Sequence, residues 1–263
     1  GKFVELAQGQ WSEWLEIPFK MSDSFTVAAI ARFYPIAIGE AVRMYMTCIQ
    51  YHPAAPYTPF TQPSDFGKAV EERYGLFKTV GWDLDTHALR QDDLPEDAFL
   101  ADVEQTMAWR ERITLDELAQ GSNRLLISAW TDTDRVGHMF WRFRDPKHPI
   151  YDPNAPERWA KALETTYRHA DAITGKVMEQ LRPEDTLMVL SDHGFGTWRT
   201  GFELNTWLRD NGYLAINDPV RAKNGSLQGI DWANTKAYTN GLSSLYRNRK
   251  GREKKGAVTP EQK

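Results

Sequence analysis

The spacing of apolar and polar residues changes along the chain, and each change predicts a different kind of element. In the first fifty residues, β-branched and aromatic side chains cluster in short runs at Phe3–Leu6, Trp14–Ile17, Phe25–Phe33 and Val42–Tyr51. Gly9, Asp23 and Gly39 punctuate these runs, which predicts an antiparallel meander. Pro53, Pro56, Pro59 and Pro63 then impose an extended loop. Ser64 can cap a short helix reaching about Tyr74, where Gly75 would stop it. Pro95 sits at a helix start, and apolar residues recur at helical spacing from Phe99 to Leu118, up to Gly121.

Beyond Gly121 the period shifts again. Leu125–Trp130 is a short apolar run, the pattern of a strand buried on both faces. Pro156 opens the clearest helix, whose stripe runs from Trp159 through Leu163, Tyr167 and Ile173 to Leu181. Pro183 lies just past it, and Leu187–Leu190 reads as a second buried strand. Strand, helix, strand predicts a right-handed βαβ unit, hence an α/β fold. Ligands of open α/β sheets collect at the carboxyl ends of the strands. The expected divisions are a β-rich and helical accessory lobe over 1–120, an α/β core over 121–220 and a C-terminal segment over 221–263.

Composition narrows the partners. With 32 basic and 36 acidic residues the formal charge is −4, so nothing favours a duplex nucleic acid. The basic run Arg247–Lys255 reads as a solvated loop. Cys48 stands alone in an apolar run and is expected to be a buried small hydrophobe. One cysteine fits a cytoplasmic enzyme and is also compatible with export. No signal-peptide pattern and no apolar stretch of about 18 residues is present, so no membrane segment is expected. The chain lacks an initiator Met and opens directly into strand-like sequence, which predicts natural termini elsewhere.

Two acid–histidine pairs follow the two buried runs: Asp134-x-x-Gly137-His138 and Asp192-His193. Carboxylate and imidazole together make the ligand set of a hydrolytic divalent-metal site. Asp134 and His138 are four apart, so one helical turn or a tight loop brings them to one face. An Asp at a helix start beside an unrelated surface His would give the same spacing. Asp192-His193-Gly194 ends a strand in a bend that lets neighbouring side chains converge, although a turn with an exposed His also fits. His148, in the loop after the first pair, is a candidate substrate-binding residue. His52, His87 and His169 read as structural or exposed. Trp141, Phe140 and Phe143 read as packing residues, with an aromatic wall for a substrate base as the alternative.

Asp134-x-x-Gly137-His138 and Ser191-Asp192-His193-Gly194-Phe195 resemble the two central metal motifs of the type I phosphodiesterase/nucleotide pyrophosphatase family, in the alkaline phosphatase superfamily. Gly9–Ser12, His138–Arg142, Leu204–Leu208 and the segment from Thr235–Tyr238 to Gly251–Glu253 are similar to a bacterial branch of it. The resemblance implies an alkaline-phosphatase-like core of parallel strands and flanking helices, with the antiparallel β-rich lobe as a cap. It implies two divalent ions, Zn²⁺ favoured by mixed N/O ligands and Mn²⁺ next. Asp134 and His138 would serve one ion and Asp192 and His193 the other. The substrate would be a small phosphate ester, cleaved at a phosphodiester or pyrophosphate bond by two-metal in-line displacement.

The same resemblance implies an N-terminal Asp, a Ser or Thr nucleophile and a C-terminal His, none of which is found here. The chain therefore reads as the central section of a longer enzyme, inactive by itself. A phosphomonoesterase, phosphomutase or sulfatase on the same metal frame is the alternative, as is an inert binding fragment.

Overall fold

A computed structural model describes residues 3–80, 82–223, 227–241 and 244–262, in two compact units, Gly1–Thr197 and Trp198–Lys263. In the first unit the expected strands pair antiparallel, but in two sheets rather than one continuous meander. Strands β1 (Leu15–Ser22) and β2 (Phe25–Ala31) pair antiparallel, and β5 (Gln50–Tyr51) extends them in the order β1-β2-β5. Strands β3 (Phe33–Ile38) and β4 (Val42–Met46) make a separate hairpin. Phe3–Leu6 is not a strand. The next segment instead clasps the sheets: the Gly9 N–H donates to Pro35 and the Ser12 hydroxyl accepts from the Phe33 N–H at 2.9 Å. Trp11 reaches farther, its indole N–H donating to the Ala98 carbonyl at 2.9 Å.

Most helix ends follow their sequence signals, but Ser64 is not a cap: Asp65 precedes the first helix and makes no side-chain capping hydrogen bond. Helix α1 (Phe66–Tyr74) stops at Gly75, whose φ of +80° lies in the left-handed region that glycine tolerates. After the short α2 (Thr86–Arg90), α3 (Glu96–Ala119) starts immediately behind Pro95. Helix α4 (Asp132–Arg144) follows the first apolar run. The long helix predicted from Pro156 is interrupted at Lys161, giving α5 (Glu157–Ala160) and α6 (Ala162–Gln180). Phe99, Val103 and Met107 of α3, Val136 and Phe140 of α4, and Leu163 and Ile173 of α6 form one core. At about 25 cal/mol per Å² of apolar surface, such buried side chains contribute most of the stabilisation.

The two apolar runs expected as buried parallel strands do not form a ladder among the described residues. Both are extended and solvent-facing, with Ile127 81% and Leu190 80% exposed. The reason is physical: a strand apolar on both sides is buried only by layers on both sides and neighbours on both edges. Cys48 is half-buried rather than buried, its thiol 3.8 Å from Asp85.

The second unit holds α7 (Leu204–Asp210) and the hairpin β6 (Ala237–Thr239) and β7 (Leu245–Arg247). The basic run beyond β7 is more than a solvated loop. Asn248 is fully buried, and its amide donates to the carbonyls of Trp232 (2.6 Å), Thr235 (2.8 Å) and Lys255 (3.3 Å).

Candidate metal centre

Asp134 and His138 lie one turn apart on α4, so the helix alone aims both at the same place. His138 Nε2 is 3.3 Å from Asp134 Oδ1. His193 Nε2 approaches the same oxygen, also at 3.3 Å. The ligand atoms of these three residues all lie within 4.8 Å of one another. Arg135 holds the other Asp134 oxygen at 3.2 Å.

Helix α4 delivers His193 through aromatic packing. Phe195 lies edge-on to His138 and to His193, with ring centroids 5.0 and 5.3 Å away. It sits against the backbone of Gly137, where an added Cβ would be 2.7 Å from the Phe195 ring. That close approach is a physical reason for glycine between Asp134 and His138. Trp141 stacks on Phe195 at 6.2 Å and its indole N–H donates to the Thr197 hydroxyl at 3.0 Å. The Thr197 hydroxyl in turn donates to Asp145. Residues 193–197 are therefore pinned along one face of α4.

The start of α4 is anchored from below. Asp132, in the first turn, is fully buried, and Arg110 of α3 donates to it and to Thr131, each at 3.0 Å. Arg110 and Thr131 also donate to Asp83. Burial pushes the Asp132 carboxyl up while Arg110 opposes that shift; Asp83, despite its own burial, is held below the usual carboxylate range by Thr131 and Arg110. Asp83 thus meets the base of α4 across 48 residues of chain. Arg110 and Asp132 were missed; the only local signal was the Thr-Asp-Thr-Asp run at 131–134.

The donor set suits a divalent cation. The His193 Nδ1–H donates to the Gly194 carbonyl at 3.0 Å, which leaves the Nε2 lone pair pointed at the cluster. The Gly194 carbonyl, then the charges of Asp192 and Asp134, raise the His193 pKa above its ordinary value. The Nε2 atoms of both imidazoles and the Asp134 oxygen are the donor atoms a cation would take. Around a tetrahedral ion with bonds of about 2.0 Å, ligand atoms stand about 3.3 Å apart, as both imidazoles do from Asp134.

The other sequence candidates fall outside this cluster. Asp192 is 90% exposed at its side chain; one oxygen accepts from the His193 N–H and the other is 3.8 Å from His193 Nε2. His148 stabilises its own turn, its Nδ1 accepting from the Ile150 N–H at 3.3 Å. Phe140 and Phe143 are core residues, whereas Trp141 and Phe195 border a cavity of about 440 Å³ with Arg144 and Tyr167.

No helix among the described residues is long and apolar enough to cross a membrane. No curated protein and no solved structure gives a significant match. The family model described as type I phosphodiesterase / nucleotide pyrophosphatase matches residues 38–262, which include every residue of the cluster, and the chain belongs to that family.

Proposed function

We propose that the Asp134–His138–His193 cluster is part of a divalent-metal centre that hydrolyses phosphodiester or pyrophosphate bonds. The observation that carries this reading is the convergence of three ligand atoms from two places more than fifty residues apart. A bound ion there would act as a Lewis acid on the phosphoryl group and lower the pKa of the attacking oxygen. Asp134, His138 and His193 hold that charge, with Arg135 keeping the carboxylate oriented. Asp192, beside His193, is the ligand for a neighbouring second ion. Zn²⁺ is the first choice for two imidazoles and one carboxylate, and Mn²⁺ the second. The Trp141–Phe195 shelf beside the centre gives a flat leaving group a surface to lie on.

The test is hydrolysis of bis(4-nitrophenyl) phosphate by chelator-treated protein with Zn²⁺ or Mn²⁺ restored. Turnover that returns with metal and is lost in Asp134→Asn supports the reading. Turnover indifferent to chelator, or no binding of either metal, counts against it; metal bound without turnover matches a centre that lacks its nucleophile.

A further inference from the structure

A second polar constellation lies in the first unit, built from residues the metal centre does not use. A cavity of about 370 Å³ opens between the β-lobe, the segment Leu76–Lys78 and α3. Trp14, Phe77 and Trp109 form its apolar walls, the last two stacked at 4.6 Å with planes 16° apart. Arg32, Lys78 and Asp102 line its polar side, and all three are largely buried.

The charges within hydrogen-bond reach of the cavity are unevenly shared. Lys78 donates to Asp102 at 2.7 Å and to the Thr106 hydroxyl at 2.8 Å, so one carboxylate already has a cation. Arg32 shares the same carboxylate loosely, at 3.6 Å, too long for a hydrogen bond. The facing oxygen, Asp102 Oδ1, is buried without a hydrogen-bond partner. Arg32 is held from behind: its Nε donates to the Ser12 carbonyl at 2.8 Å and its guanidinium lies 4.8 Å from the Trp11 ring centre. Its terminal nitrogens donate no hydrogen bond among the described residues. Burial lowers the pKa of both Arg32 and Lys78, with Asp102 only opposing the shift. Farther off, Glu13 at the exposed rim acts on Arg32, and Asp83, which Arg110 shares with Asp132, acts on Lys78. Two buried cations thus share one buried anion, beside a space walled by aromatic rings. A planar guanidinium with unused donors suits a carboxylate or phosphate oxygen pair. A cavity of this size falls in the range of small-ligand sites.

We propose that this cavity binds a small ring-bearing oxyanion, with the acid group on Arg32 and the ring between Trp14 and the Phe77–Trp109 stack. It is a site separate from the metal centre.

Calorimetric titration of the protein with benzoate and with phenyl phosphate, against benzyl alcohol and inorganic phosphate, tests it. At least one ring-bearing anion should saturate, at least tenfold tighter than benzyl alcohol or inorganic phosphate. Benzoate alone would mean a carboxylate site, phenyl phosphate alone a phosphate site. Arg32→Gln should weaken that binding at least tenfold and His138→Ala should leave it unchanged. Ala108→Phe, at an exposed lining position, blocks the cavity without removing a buried charge and should also weaken binding tenfold, with the melting temperature unchanged. The proposal is overturned if neither ring-bearing anion saturates by about 10 mM. It is equally overturned if benzyl alcohol binds as well, or if Ala108→Phe leaves the affinity unchanged. Loss of binding in His138→Ala would assign the anion to the metal centre instead.

Discussion

Arg110 on α3 donates at 3.0 Å to Asp132, a fully buried carboxylate two residues before Asp134 of the imidazole–carboxylate cluster. The contact ties the helix that carries two of the three clustered ligand atoms to the longest helix of the chain. Removing one partner of such a pair strands the other charge out of water. Arg110→Met is expected to destabilise the protein by about 3 kcal/mol, read by urea denaturation. Metal affinity should fall with it, because the first turn of α4 loses its anchor. A loss below about 0.5 kcal/mol would mean that Asp132 is neutral and needs no cation.

Gly137 and Phe195 make the second testable contact. An alanine methyl at 137 would overlap the Phe195 ring, so the ring and His193 beside it must move. Gly137→Ala should reduce Zn²⁺ affinity at least tenfold while circular dichroism shows the helices intact. Unchanged affinity would show that His193 reaches Asp134 without Phe195.

The metal ligands themselves should separate into two classes. His193→Ala is expected to weaken binding of the first Zn²⁺ by roughly a hundredfold, since it removes one of three converging atoms. Asp192→Asn should change it less than tenfold, because its side chain is outside that cluster. Competition titration with a chromogenic chelator measures both. Equal losses would place Asp192 in the first ion's shell.

Glu111 on α3 pairs with Lys176 and His169 on α6. Burial raises its pKa, but hydrogen bonds from Lys176 and His169 outweigh that and hold it below its ordinary value. A carboxyl depressed in the folded state contributes stability above its unfolded pKa and loses it as pH falls through the folded value. Glu111→Gln should therefore cost about 1 kcal/mol at pH 7, and the gap to wild type should close in the acid range below the usual glutamate pKa. Melting curves across that range decide it, and a gap independent of pH would contradict the ion pairing.

In the second unit, Asn248 satisfies three backbone carbonyls with one buried amide. Asn248→Leu leaves those acceptors unpaired and should cost about 2–3 kcal/mol. Amide exchange should quicken at Thr235–Ala237 and at Ala257–Val258, whose N–H groups donate to the Asn248 backbone carbonyl. Exchange unchanged there would show that water replaces the amide.

Local chemistry was legible from residue order. Gly75 and Pro95 bound their helices because backbone restriction acts within a few residues. The four-residue spacing of Asp134 and His138 likewise specified a shared helix face, and the family resemblance rested on such short motifs. The partner of that face was not legible. The resemblance implied one ion for 134 with 138 and another for 192 with 193, and the fold sets His193 beside the first couple through Phe195, Gly137 and Trp141. The same holds for Arg110 with Asp132, and for Asp102 held closely by Lys78 and loosely by Arg32. The apolar runs at 125–130 and 187–190 show the limit most plainly, because their composition demands burial that only neighbouring strands and layers supply. Residue order determined which chemical groups and which local conformations the chain has. Tertiary structure decided which groups meet, because packing and electrostatics act through space between residues distant in the chain.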